Sequence, residues 1–467
     1  KSYGGEKRFL CPPPAVLMTG GGRSARTAHH SPMVLSVTTD GTAGPSAVPP
    51  PAVTPAADKK ARASSSAHAP LECHTTFNSR NVALFKSLHV TGMQKAKSFR
   101  LRLDLLAPAA GVGAAWAGSG AYASLESDPV AIISKPSKKT AKARNQASCI
   151  RGGSLVSLFN RINSQTFRTK YLNVDHASGR WVAQSHNWSP FKVVVVSRPP
   201  AASATAGAAD AALYYGAEIV LVETRRNFTS PVMVIRKVER GRLVPDARSP
   251  VSQMQKVALQ LKPHSPHDEP RFLKADVGHY SQVSDPTASA VRFDDPDGSP
   301  ELTFESIAGA LLTRTRSRDL VTDSMAAANQ GVEIDDFFCW TIVGIAGFSY
   351  SFSLPKTHSH ALPVASINPI PRVIGTPSVL GRQLRLAVNA FEPKRMRVVV
   401  GDARLPLPVE VNAGAKSDGI HLVASVPLAC DDGVLAVLRD DGVLFHLKWR
   451  LACHAAKLQV DPCHLDI

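Results

Sequence analysis

Aromatic and acidic residues are scarce in this 467-residue chain: Phe, Trp and Tyr make up 6%, and Asp+Glu number 37 against 54 Lys+Arg. The formal net charge is +17. Such a balance points to an anionic partner, either nucleic acid or a membrane surface, and is silent on fold. No basic amphipathic helix can be traced, so nucleic acid is the favoured class and no membrane partner is expected. The seven cysteines (Cys11, Cys73, Cys149, Cys339, Cys430, Cys453 and Cys463) include no Cys-x-x-Cys pair. They offer no disulfide framework and fit reduced thiols in a nuclear or cytoplasmic protein. In "CHAAKLQVDPCH" (453–464) each Cys adjoins a His, whereas zinc ligands pair two to four residues apart.

Catalytic signatures are missing too. No Walker A or GxGxxG loop follows a strand, and no His-Glu-x-x-His is present. "MTGGGRS" (18–24) has no strand-loop-helix setting, and "FDDPDG" (293–298) lacks the remaining ligands of a calcium loop. Lone histidines such as His186, His279 and His421 read as surface or satisfied core residues. No nucleophile, base and orienting group assemble, so neither an enzyme nor a cofactor is expected. "LLAPAAGVGAAWAGSGAYASL" (105–125) is long enough to span a bilayer, yet it is mostly Ala, Gly and Ser, so a connection between strands is expected. Residues 1–20 lack the continuous apolar core of a secretory signal. The chain opens on Lys1 rather than Met, as a trimmed piece of a longer protein would.

Proline, by contrast, is plentiful at 35 residues, much of it in low-complexity tracts. "AGPSAVPPPAVTPAADKKARASSSAHAP" (43–70) cannot bury enough apolar surface to offset its ordering entropy, so a disordered insertion is expected across about 17–75. Structure is expected to resume near Val82. "FRLRLDLL" then alternates Phe99, Leu101, Leu103 and Leu105 with Arg100, Arg102 and Asp104, the period of a half-buried strand. From 150 to 262 short strands follow at turn-punctuated spacing ("SLVSLF", "YLNV", "RWVAQS", "FKVVVVS", "AEIVLVET", "PVMVIRKV", "QKVALQL"), which argues for an all-β barrel or trefoil. One helix is predicted. Ser299 caps it, Pro300 opens it, and Phe304, Ile307, Ala308, Leu311 and Leu312 repeat at helical spacing inside an insertion of about 263–330. "LPVASINPIPRVIGTP" (362–377) reads as an interdomain connection. The last ~90 residues show a small sandwich pattern with an Asp441-Gly442 hairpin turn.

Three basic segments stand out. "KSYGGEKRF" (1–9) sets Tyr3, Glu6, Lys7 and Arg8 on a glycine-softened loop. There Arg8 can donate twice to guanine, and Glu6 can accept from cytosine or hold the guanidinium. "SKPSKKTAKAR" (134–144) concentrates Lys135, Lys138, Lys139, Lys142 and Arg144, a run that neutralises phosphates or serves as a plain linker. "NRINSQTFRTKYL" (160–172) reads as a hairpin tip with Arg161, Ser164 and Gln165, able to enter a minor groove or to stand as an exposed turn.

Together these segments resemble the CSL transcription-factor family (Suppressor of Hairless and its relatives). "KSYGGEKRFLCPPP", "ISKPSKKT", "LFNRINSQTFRTKYLNV", "YYGAEIVLV", "VIRKV", "DARSPVSQMQKVAL" and "CWTI" occur in the family's order. "GDARLP" and "LRDDGVLFHL" fit more loosely. The resemblance implies an all-β chain of three domains. They are an N-terminal Rel-homology-like β-sandwich (1–145), a central β-trefoil (146–362) and a C-terminal Rel-like immunoglobulin sandwich (363–467).

It further implies a nuclear, non-enzymatic regulator that binds double-stranded DNA as a monomer at a GTGGGAA-type site and recruits transcriptional co-regulators. Tyr3, Glu6, Lys7 and Arg8 inherit major-groove reading, and Arg161, Ser164 and Gln165 the trefoil's minor-groove contact. Ser134, Lys135, Ser137, Lys138 and Lys139 inherit contacts at the junction of the first two domains. Lys95 and Lys97 are expected on phosphates, while Asp104 replaces a basic position nearby. In animal members an apolar trefoil groove takes a Trp-containing Notch peptide. Here "RPPAASATAGAADAA" (198–212) supplies nothing bulky and Thr229 replaces a small apolar residue, which argues against a Notch-type peptide. Val220 and Thr229 remain candidates for another protein partner. Two alternatives stay open: a scaffold of this architecture that has lost DNA reading, and a nonspecific or RNA-binding β protein.

Overall fold

The computed structural model describes residues 7–19, 32–39, 71–79, 81–91, 97–106, 121–133, 136, 148–162, 169–176, 179–199, 212–244, 247–265, 267–275, 303–306, 332–353, 366–401, 404–413, 419–428, 430, 432–454 and 457–463. It divides into two compact units, one made of residues 1–132 with 348–467, the other of 133–347. Strands dominate both, and Asp336–Phe338 forms a 3-10 turn.

In the first unit, "FRLRLDLL" forms a strand, Ser98–Leu106, with Phe99, Leu103 and Leu105 buried and Arg102 exposed. It pairs with Met33–Thr39, which pairs in turn with Leu71–Thr75; Ala121–Glu126 flanks the other side. Both Met33–Thr39 and Leu71–Thr75 lie within the insertion expected across 17–75. That insertion is therefore narrower than its composition suggests. "MVLSVTT" is β-branched and apolar enough to bury Met33, Leu35 and Val37, and it fills the space beside Ser98–Leu106. Residues 43–70 lie outside the described residues, as do 107–120 of the expected connection. Two short ribbons complete this sandwich, Lys7–Phe9 with His89–Thr91 and Ala15–Leu17 with Val82–Leu84.

The same unit contains a C-terminal immunoglobulin-like sandwich. One sheet runs Val373–Leu380, Gln383–Val388, Ile420–Ser425, Val409–Ala413; the other is built on Met396–Val400, Gly433–Arg439 and the long strand Leu444–His454. Leu384, Leu386, Leu422, Val398, Val437 and Phe445 close the space between them, in one buried cluster with the core of the N-terminal sandwich. The Asp441-Gly442 turn joins Gly433–Arg439 to Leu444–His454 as expected. Gly442 sits at φ +85°, where any side chain would be strained.

The stretch read as an interdomain connection (362–377) is packed from Ile367 onward. Ile367 is fully buried and its amide donates to the Tyr122 carbonyl at 2.7 Å, while Asn368 Oδ1 accepts from the Ser124 amide at 2.7 Å. Arg439, whose side chain is 2% exposed, grips this segment from below. It donates to the carbonyls of Ser366 (2.7 Å) and Asn368 (3.0 Å) and forks onto the Asp441 carboxylate (2.9 and 2.6 Å).

The second unit is a β-trefoil. Six strands close a ring in which each pairs antiparallel with the next: Leu155–Arg161, Phe191–Ser197, Glu218–Glu223, Met233–Glu239, Gln255–Leu261 and Trp340–Gly344, the last returning to the first. Closure removes every edge from the ring. Trp340, Phe191, Leu158, Ile219, Ile235 and Leu259 fill it, and Trp340 Nε1 donates to the Leu273 carbonyl at 3.0 Å. Thr303–Ser306 is a strand and not part of the predicted helix: it pairs with Arg271–Lys274. The open edge of Arg271–Lys274 offers backbone partners that outweigh a helical spacing of apolar residues too short to sustain a helix alone. Ile307, Ala308, Leu311 and Leu312 lie outside the described residues.

Candidate nucleic-acid interface

The hairpin at 160–172 forms as read. Leu155–Arg161 pairs with Thr169–Val174 in the register Phe159–Tyr171, Asn160–Lys170, Arg161–Thr169, which puts Arg161 at the last rung before the tip. Ser164 and Gln165 lie on the tip itself, outside the described residues. Arg161 is half-buried. Its guanidinium carbon sits 4.7 Å from the centroid of the Phe159 ring, and its Nε donates to Thr169 Oγ1 at 2.9 Å. Phe159 and Arg161 share one face of the strand because side chains two residues apart point the same way. A cation over an aromatic face contributes about 0.5–1 kcal/mol at an exposed site.

Asn160 lies between them on the opposite face and is 1% exposed. Its Nδ2 donates to the carbonyls of Asp336 (2.6 Å) and Cys339 (2.8 Å), tying the hairpin base to the 3-10 turn. Lys256 pairs with the Asp336 carboxylate at 2.8 Å. Thr169, Phe159 and Asn160 were not singled out in the sequence. The readable signal was Asn160, a polar residue directly after the apolar run 155–159, which needs a partner where it is buried.

At the N-terminal arm, Lys7–Phe9 runs antiparallel to His89–Thr91 with Arg8 opposite Val90. Arg8 is exposed, and the half-exposed Phe9 ring lies 5.4 Å from the ring of the buried His89. Arg8 is thus carried on a paired strand rather than on a free arm. Of its expected companions, Lys7 belongs to the strand, and Tyr3 and Glu6 lie outside the described residues. Lys97 is exposed where Ser98–Leu106 begins, and its carbonyl accepts from the Ile132 amide at 2.8 Å. Lys95, Ser134, Lys135, Ser137, Lys138 and Lys139 lie outside the described residues. Asp104 is held by Arg102, Nε to Oδ1 at 3.1 Å, so one arginine of this face is committed to a neighbour.

Val220 and Thr229 fall on one outward face of the trefoil. Val220 is half-buried opposite Val194, and the exposed Thr229 bridges Val222. Val194 and Val196 add exposed apolar surface at 39% and 53%. The run "VVVV" carried that signal, since a strand with one inward face must turn alternate valines outward.

The family model described as "LAG1, DNA binding" matches residues 1–147, and that described as "Beta-trefoil DNA-binding domain" matches 177–273, together just over half of the chain. A mouse (Mus musculus) recombining binding protein suppressor of hairless-like protein is 30% identical over 386 residues, covering 79% of this chain and 60% of the relative. The human (Homo sapiens) protein of that name is 29% identical over 377 residues, with 80% and 60% covered. Transcription factor cbf11 of Schizosaccharomyces pombe is 25% identical over 405 residues, with 84% and 57% covered. The chain therefore spans about 60% of the length of the curated relatives it matches.

Proposed function

The chain belongs to the CSL family, and from that premise we propose that it is a sequence-specific, double-stranded DNA-binding regulator of transcription. It acts in the nucleus, as a monomer on a GTGGGAA-type site, without catalytic chemistry. The observation that carries this reading is Arg161, an arginine secured by two neighbours at the mouth of a rigid hairpin. Arg161, Ser164 and Gln165 read the minor groove, where width and acceptors are recognised. Tyr3, Glu6, Lys7 and Arg8 read the major groove. Lys95, Lys97, Ser134, Lys135, Ser137, Lys138 and Lys139 meet backbone phosphates and set register rather than sequence.

The test is selection of bound duplexes from a random pool, followed by titration of the selected duplex and a scrambled one at fixed salt. Enrichment of a GTGGGAA-type core supports the reading; a pool with no enriched motif removes it. The outward valines Val194, Val196 and Val220 support a second role for the trefoil, as a surface for an apolar segment of a co-regulator. The sequence of 198–212 contains no bulky apolar residue, so a Notch-type peptide is not the proposed ligand.

A further inference from the structure

We infer that Thr169 and Phe159 are positioning residues that set how well Arg161 discriminates between duplexes; this rests on the DNA-binding reading above. Arginine is long and loses much rotamer freedom when it is fixed on a ligand. In this hairpin the loss is largely met before any ligand arrives. The guanidinium carbon is 4.7 Å from the Phe159 centroid, and Nε is committed to Thr169 Oγ1 at 2.9 Å. These two contacts approach from different directions, one along the strand and one across the ladder. Their own positions are fixed in turn. Phe159 is 1% exposed and Thr169 6% exposed. Thr169 is also the backbone partner of Arg161, so the acceptor cannot drift relative to the donor without breaking the rung.

Between Phe159 and Arg161, the buried Asn160 locks the strand to the 3-10 turn through two hydrogen bonds. Arg161 therefore belongs to a pre-built unit, and the hydroxyl of Thr169 is its one replaceable part. Valine keeps the volume and strand preference of threonine and lacks only the hydroxyl.

The experiment titrates wild type, Thr169→Val, Thr169→Ser and Arg161→Ala against the selected and the scrambled duplex at two salt concentrations, with thermal unfolding in parallel. Loss of one hydrogen bond of ordinary net strength corresponds to roughly fivefold to tenfold weaker binding of the selected duplex. Thr169→Val is expected to show that loss, with the scrambled duplex within about twofold and the salt slope unchanged because no charge is removed. Thr169→Ser restores affinity to within about twofold, which a merely structural role for the side chain does not predict. Equal binding of Thr169→Val and wild type, while Arg161→Ala is weakened, overturns the inference. So does equal weakening by Val and Ser. Wild type with no preference between duplexes removes the DNA reading itself.

Discussion

Replacing Asp441 with asparagine strips a charge from the turn while keeping its shape. Arg439 is 2% exposed at its side chain and has two kinds of acceptor, the Asp441 carboxylate and the carbonyls of Ser366 and Asn368. After Asp441→Asn, the carbonyls and one amide oxygen remain, but nothing carries a balancing negative charge. Removing one partner of a buried pair costs about 3–5 kcal/mol. Asp441 is itself 34% exposed, so water hydrates part of the altered turn, and the lower end, about 3 kcal/mol, is expected. For a unit of this size each kcal/mol moves Tm by roughly 2–4 °C, so unfolding should come about 6–12 °C earlier.

The pH dependence adds a second check. The hydrogen bonds from Arg439 hold the Asp441 carboxyl below the ordinary carboxylate value, against the opposing effect of burial. A carboxyl depressed in the folded state contributes stability that is fully present above its unfolded pKa, near 3.8, and is lost as pH falls through the folded value. The gap between wild type and Asp441→Asn should be constant from pH 7 to about pH 5 and begin to narrow below about pH 4. Thermal unfolding followed by circular dichroism at pH 7, 5 and 3 measures it. A variant that melts with wild type at pH 7, or a gap as wide at pH 3 as at pH 7, refutes the reasoning.

Three further outcomes are expected. Arg8→Ala should cost about 1–3 kcal/mol on the selected duplex and relax preference at one G·C pair, as a bidentate arginine would; equal binding to selected and scrambled duplexes by variant and wild type sinks that role. Lys139→Ala should weaken all duplexes alike and lower the salt slope by about one unit, read from titrations across ionic strength. Trp340→Phe removes the bond to the Leu273 carbonyl and leaves a void in the trefoil ring, so chemical denaturation should show a loss of about 2–4 kcal/mol.

Strand identity was readable wherever one face alone is buried. "FRLRLDLL" and the Asp441-Gly442 hairpin announce themselves through period and turn chemistry, because local residues decide both. Two elements misled for the same reason, in opposite directions. Met33–Thr39 was hidden by the low-complexity sequence around it, although its own side chains are those of a central strand. Thr303–Ser306 sits in helical spacing, yet its conformation is decided by Arg271–Lys274, roughly thirty residues earlier. The site divides along similar lines. Arg8 and Arg161 are visible in the sequence as charges within polar, basic segments. The supports of Arg161 are not, since Asn160 finds its acceptors 176 and 179 residues away.

The first compact unit is assembled from two separate stretches, residues 1–132 and 348–467, and the residues of the trefoil unit, 133–347, separate them in sequence. During synthesis the N-terminal sandwich therefore leaves the ribosome without the strands that share its buried cluster. At roughly 5–20 residues per second the wait for the last of those strands, Lys457–Pro462, is on the order of tens of seconds. The trefoil has all its ring strands once residue 344 has emerged, so it can close first. Until residues 367 and 368 have emerged, the Tyr122 carbonyl and the Ser124 amide are without the partners that hold them in the folded unit.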